Sequence, residues 1–451
     1  MGKKIISRLL PVFGILFVTA YIRSAALNVV YTDYIRLVNS YLGNVFSFMP
    51  YMHADILTRI PVNYFERIIN VVFFHYSTMF DMMLGAFGLG CMAFIIASFC
   101  TGKQIPWYAS CLILFLIFSL NKWEMLTNGS GWVHFAAFAL FSYHYYVYDR
   151  FMSGNGKKGD GRKLCVLPWI IILLFAGPYC AVYAVTMILA DIFMTVRKKQ
   201  NLRECLPRIL NMLVPLVLYM ASRACSVEDI SGITSSSLSS VIASNPGFLP
   251  LLFIRSFSSM LVGGETAASY GIPIGISVLF GLFVIFCYGY AFYLNMKEKL
   301  YEKSTFPLIL LVSGFLNHVL IALSRWMFLN NAYGMSSRYA LQFEMGIIGI
   351  FLTVFMVRSP GKNGESGKRG ARKAAAVLIS LLFFAGNLVT TGNEIRMAPY
   401  RQENFSEIRE AGLKFETLSD PELSLVFEYH DGAKVREALT LLKERKLNIY
   451  R

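Results

Sequence analysis

Long apolar stretches recur along this chain, separated alternately by short basic segments and by longer segments rich in aromatic residues and carboxylates. That alternation constrains the fold more than any single motif. Runs such as Leu9 to Ile22, Phe80 to Cys100, Ile105 to Leu120, Ile272 to Met296 and Ala374 to Leu388 reach or approach the length that crosses ~30 Å of hydrocarbon. Each must be helical, because an unpaired backbone amide has no partner in lipid. Only 15% of the 451 residues are charged and 56% are hydrophobic, whereas a soluble domain carries about a quarter charged residues. The expected fold class is an all-α, polytopic integral membrane protein. Lys3, Lys4 and Arg8 precede the first run as in a signal peptide, but no small-x-small cleavage site leads into a soluble domain. The run is therefore read as a retained anchor.

Charge placement orients the chain. The basic segments are Lys3 to Arg8, Lys103, Arg150 to Lys163, Arg197 to Arg208, Lys297 to Lys303 and Arg358 to Lys373. The positive-inside rule assigns them all to the cytoplasm. They hold most of the formal net charge of +15, so the excess reports topology and no nucleic-acid partner is expected. Trp107, Trp123, Trp132, Trp169 and Trp326 fall near span ends, as interfacial belts require.

These anchors predict about eleven spans, at 9–29, 78–100, 105–121, 131–148, 164–177, 179–196, 208–224, 272–296, 306–328, 339–357 and 374–391. The pair around Gly177-Pro178-Tyr179 is tight, which leaves the count across 164–196 open. An odd number places the N-terminus in the cytoplasm and the C-terminus outside. Residues 1–391 then form the transmembrane domain, and 392–451 form a small extracytoplasmic helical tail.

The outer segments are Arg23 to Ser77, Asn121 to Ser130, Cys225 to Gly271, Leu329 to Arg338 and the tail. The first is the loop 23–77. Ile35, Val38, Leu42, Val45, Phe46 and Met49 share one helical face, as do Ile56, Leu57, Ile60, Tyr64, Ile68 and Val72. Two amphipathic helices along the membrane surface, broken at Pro50-Tyr51-Met52-His53, would give this pattern. The third segment opens Ser/Thr-rich from Ser231 to Ser244. It then turns apolar from Phe248 to Met260 around Arg255, as in a re-entrant or interfacial helix.

Eight cysteines lie mostly inside spans without a CxxC pair, which supports neither a disulfide framework nor a metal site. The chain has no P-loop, GxSxG or HExxH pattern. Two ionisable residues inside spans, Asp81 and Glu344, are candidates for function by cost alone.

Two strings carry a resemblance: Trp123-Glu124-Met125-Leu126 in the second outer loop, and Ser337-Arg338-Tyr339 before a late span. With many spans, a first outer loop of surface helices and an acid, Asp33, near its start, the chain resembles the GT-C class of membrane glycosyltransferases. More narrowly, it resembles a group of bacterial multi-pass proteins in that class with W-E-x-L and S-R-Y strings. It departs from the pattern at Met125, where Asn is usual, and in offering a single Asp33 where many members show paired acids. The resemblance implies a bacterial cell (cytoplasmic) membrane location. It also implies transfer of a sugar from a polyprenyl-phosphate donor to a cell-surface glycan or lipid-linked acceptor on the outer face. Membrane lipids are the other expected partners. No cofactor is expected; a divalent metal is compatible with the chemistry, but nothing in the sequence indicates one.

Such a reaction needs a base for the acceptor hydroxyl and cations for the departing phosphate. Asp33 suits the first role, with Glu124 orienting acceptor or sugar. Arg338, Arg255 and Arg36 suit the second, since a guanidinium pairs phosphate at two points, and Arg325 stands close by at a span end. Tyr31, Tyr34, Trp123, His134 and Tyr339 are candidates for sugar contact. Each residue also has a plainer role. Asp33 is a good helix N-cap, Glu124 a good solvated loop acid, and Arg338 a good interfacial snorkel. Arg36 suits a surface partner for Asp33, and His134 a core hydrogen-bonder.

Two other functions fit parts of the pattern. A lipid-linked glycan polymerase or ligase would share the substrate class, but more often shows one very large central outer loop. A transporter or flippase of lipid-linked sugars would show internal repeats and ionisable residues at midplane. No convincing repeat is present.

Overall fold

The computed structural model describes residues 2–48, 61–175, 177–198, 202–224, 234–357 and 366–451. Among them there is no strand. Around residues 23–77, the segment expected as the first outer loop, the helices are α1 Gly2–Ala25, α2 Asp33–Leu37 running into a π-helical turn Val38–Leu42, and α3 Val62–Phe74. The chain continues through α4 Thr78–Gly102, α5 Trp107–Ile117, α6 Trp123–Thr127, α7 Trp132–Met152, α8 Asp160–Ile170, α9 Cys180–Lys198 and α10 Leu202–Ala224. Next come α11 Leu238–Ser244, α12 Phe248–Ser258, α13 Gly264–Ser269, α14 Ile274–Lys297, α15 Leu300–Lys303, α16 Phe306–Arg325 and α17 Ala340–Met356. The chain ends in α18 Ser366–Leu413, α19 Asp420–Val426 and α20 Gly432–Glu444.

Among the described residues, eight helices are long and apolar enough to cross a membrane, or nine if the bent pair α11 and α12, broken at 94°, forms one span. These eight match eight of the eleven expected spans, and the other three have identifiable physical differences. The apolar part of α1, Leu9–Ala25, is short. In α7 the second half carries Tyr143, His144, Tyr145, Tyr146, Tyr148, Asp149 and Arg150, which lowers its hydropathy. The 164–177 stretch is interrupted where α8 passes into a π-helical turn Ile171–Phe175. Much of the polar half of α7 is buried nonetheless, including His144, Tyr145, Tyr148 and Asp149. Asp149 accepts hydrogen bonds from Ser304 Oγ and from Thr305 N, each at 2.7 Å, and pairs with Lys103 at 3.2 Å. That knot ties the ends of α4 and α7 to the start of α16. Arg150–Asp160 at 2.8 Å and Arg372–Glu298 at 2.6 Å gather at the same, basic end of the bundle.

At the opposite end the first outer loop departs from the expected pattern. The break at Pro50-Tyr51-Met52-His53 and the residues Met49, Ile56, Leu57 and Ile60 lie outside the described residues. Helix α3 is inside out. Its buried stripe is Asn63, Glu66, Arg67 and Asn70, while Phe65 and Phe73 are 60% and 70% exposed. The polar stripe is buried because α4 supplies Asp81. Arg67 reaches Asp81 at 3.0 Å, Asn70 donates to it at 2.6 Å, and Tyr34 Oη donates at 2.7 Å. Removing one member of such a buried ionic network costs about 3–5 kcal/mol. The apolar face left outward suits contact with lipid.

The tail continues from the last expected span without a break. Helix α18 is continuous for 48 residues, or ~72 Å at 1.5 Å per residue, so the expected boundary at 391/392 falls inside it. Its far end, with α19 and α20, encloses a small core of Phe405, Ile408, Phe415, Leu423, Phe427, Val435, Leu439 and Leu442. This unit grips the first outer loop. Thr32 N donates to the Phe427 carbonyl at 2.9 Å and Asn448 N donates to the His75 carbonyl at 2.8 Å. Asn39 Nδ2 donates to the Lys434 carbonyl at 2.8 Å.

Candidate functional site

The site is built where the first outer loop, the α6 loop, the turn before α17 and the tail converge. Asp33 is the first residue of α2, and Thr32 before it takes the N-cap position with φ 45° and no side-chain cap bond. Asp33 is therefore not the cap. Its carboxylate makes no hydrogen bond or ion pair among the described residues, and it lies within electrostatic reach of Arg338 and His134. Thr32 also accepts a hydrogen bond from Asn128 Nδ2 at 3.3 Å, which fixes the start of α2 against the loop that follows α6.

Glu124 and Arg338, 214 residues apart, form a direct ion pair through Arg338 Nε. Both are partly accessible, Arg338 at 38% and Glu124 at 20% of the side chain, so a ligand can reach the pair. Ser337 Oγ donates towards Glu124 and Glu265, each at 3.2 Å. The α6 loop is held from below by Lys122, fully buried and paired with Glu344 at 3.1 Å. Lys122 also donates to the carbonyls of Ile117 and Ser119 at 3.0 Å, closing the C-terminal end of α5. Glu344 is thereby a structural partner in this arrangement, as is Asp81 in its own knot.

The other expected residues divide. His134 stands edge-on to Tyr179, ring centroids 5.0 Å apart. Tyr339 is buried, with the Arg325 guanidinium 5.7 Å over its ring. Trp123 carries the Arg401 guanidinium 3.1 Å over its ring, and Arg401 pairs with Glu394 at 2.6 Å. These three border the site. Tyr34 does not open onto it: its hydroxyl is spent on buried Asp81, and its ring meets Tyr76 edge-on at 6.3 Å. Arg36 is half-buried one turn beyond Asp33. Arg255 bonds to Asn331, and none of Asp33, Glu124 or Arg338 is among its partners. Arg325 is the better-placed second cation. It makes no hydrogen bond or ion pair among the described residues, it lies 5.9 Å over Phe328, and it acts with Arg338 on Tyr179.

Sequence reasoning missed two acids. Glu265 sits in the first turn of α13 beside Ser337, and burial, with the charge of Glu124, pushes its carboxyl up. Gly264 before it approaches the Met335 carbonyl so closely that a Cβ there would lie 2.6 Å from that oxygen. Glu428 comes from the tail, in a left-handed conformation at φ 50°. Burial, then Glu124, raises its carboxyl, while Arg338 opposes the rise. An acid in the Gly263-Gly264-Glu265 turn of an otherwise apolar segment was an available signal for Glu265. No local signal marks Glu428, which arrives through the tail's fold. The phenol of Tyr31 is likewise pushed up by burial and by Glu124 and Glu428, which places it on the same cluster.

Among the described residues the arrangement offers an unpaired carboxylate within electrostatic reach of a guanidinium that a second carboxylate holds in orientation, with an unpaired guanidinium nearby. It can accept a proton at Asp33 and stabilise an anion between Arg338 and Arg325. Among the described residues, no group of three His, Cys, Asp or Glu is placed to hold a metal ion. No protein-family model matches the chain, and no curated protein matches it.

Proposed function

We propose that this protein is a GT-C-like membrane glycosyltransferase of about eleven spans in a bacterial cell membrane, with its N-terminus cytoplasmic and its C-terminus outside. It moves a sugar from a polyprenyl-phosphate donor to a cell-surface glycan acceptor. One observation carries the reading: an unpartnered carboxylate, Asp33, in electrostatic reach of the Glu124–Arg338 pair, at the end of the bundle opposite the basic segments.

In this reading the acceptor oxygen attacks the anomeric carbon while Asp33 takes the hydroxyl proton. The carbon–oxygen bond to phosphate breaks, and the polyprenyl phosphate leaves with the electron pair. Arg338 and Arg325 meet the developing charge. Glu124 keeps Arg338 aimed until the phosphate arrives, then orients the acceptor together with Ser337. Trp123, His134, Tyr31 and Tyr339 line the sugar's approach.

The test is a deletion strain with and without the wild-type gene. Transfer predicts that deletion removes one sugar from the surface glycan while that sugar accumulates on polyprenyl phosphate. An unchanged glycan sugar profile would overturn the reading.

A further inference from the structure

A cavity of about 380 Å³ lies at the basic end of the bundle, far along the helices from the site above, between α5, α14, α17 and α18. Its walls change character with depth. On α18, Arg372 and Lys373 are followed one turn later by Ala376 and Val377 and two turns later by Ser380 and Leu381. The nine steps from Arg372 to Leu381 span ~13 Å of helix, so cations sit at the end of the bundle and mostly apolar groups sit deeper. Phe355 at the end of α17 and Leu112, one turn into α5, extend the apolar wall. Tyr290 and Tyr108 bring hydroxyls, and Trp107 beside them is 60% exposed, as an interfacial aromatic would be.

The charge at the mouth is not internally neutralised. Arg372 is paired with Glu298 at 2.6 Å. Lys373 is exposed and makes no hydrogen bond or ion pair among the described residues. The mouth therefore presents a solvent-facing cation beside an ion pair, and the apolar wall runs inward from it, the pattern that a head group with an attached acyl chain would match.

We propose that this cavity binds an anionic glycerophospholipid, its phosphate at Lys373 and Arg372 with the tyrosine hydroxyls, and one acyl chain along Ala376, Ser380 and Phe355. Basic recesses between membrane helices take anionic headgroups in this way. The site is independent of the proposed transfer reaction and would stand if that reading failed.

The probe is phosphatidylglycerol added to delipidated full-length protein in detergent, against phosphatidylcholine with the same acyl chains and against inorganic phosphate. Thermal unfolding is the readout. Phosphatidylglycerol is expected to raise Tm in a saturable way, with the other two giving no such rise. Lys373→Gln, a surface change that leaves the fold intact, is expected to weaken the apparent affinity about fivefold. Ser380→Trp, which fills the apolar depth, is expected to abolish the response. Equal responses to the two lipids, a full response to inorganic phosphate, or an unchanged phosphatidylglycerol response in both variants would each overturn the proposal.

Discussion

Replacing Lys122 by Met cuts the support beneath Glu124 and exposes the arithmetic of a buried pair. The Lys122 side chain is 0% exposed and its partner Glu344 3%. Met matches the stem but leaves the Glu344 carboxylate without a counter-ion and two carbonyls of the α5 end without a donor. Breaking one partner of such a pair costs about 3–5 kcal/mol, whereas replacing both by apolar residues is often near neutral. With unfolding entropy near 2.1 cal/mol/K per residue, 451 residues give about 1 °C of Tm per kcal/mol. Lys122→Met should therefore lower Tm by about 3–5 °C. The double variant Lys122→Met with Glu344→Met should recover most of that, falling short only by the unpaired carbonyls, about 1–2 kcal/mol. The assay is thermal unfolding of purified protein across the four-member cycle, with coupling read as the departure from additivity. Additive losses, or a single variant indistinguishable from wild type, would refute the claim that the pair supports the loop.

Two further outcomes follow from particular contacts. Gly129→Ala would place a Cβ against the Tyr34 hydroxyl, 2.7 Å from the Thr78 carbonyl and 2.8 Å from Asp81 Cβ, so it should destabilise by about 1–3 kcal/mol and be detectable as a lowered Tm; an unchanged Tm would show that the knot yields. Burial raises the Glu265 carboxyl above its ordinary range, so the folded protein holds that proton more tightly than the unfolded chain does. Its contribution to stability is full below ~4.3 and is lost as pH rises through the raised value. Wild-type Tm should therefore fall more steeply than that of Glu265→Gln from about pH 4.3 upward, and parallel curves would contradict this.

Much of the membrane architecture is legible in the sequence because lipid leaves few options. The span expected at 272–296 is Ile274–Lys297, and that at 78–100 is Thr78–Gly102, each set by an apolar run with a basic terminus. The features that the sequence alone does not show depend on distant partners. In α3 the 3.6-residue period was visible, but its polar stripe belongs inside only because Asp81 and Tyr34 wait there. In α18 the residues after 391 are polar and look like a tail. They remain helical because Phe405 and Ile408 pack into the tail's core. At the site, Asp33, Glu124 and Arg338 could be chosen from short strings. Glu428 and the choice of Arg325 over Arg255 depend on loop geometry that no local pattern encodes.

One substitution isolates the role proposed for Asp33, taking the proton of the acceptor hydroxyl. Asn at position 33 keeps the size and polarity of the side chain but cannot act as a base. The measurement is surface-glycan composition in the deletion strain carrying wild type or Asp33→Asn at equal membrane levels. Wild type is expected to restore the missing sugar, and Asp33→Asn is expected not to. Full restoration by Asp33→Asn would contradict that role.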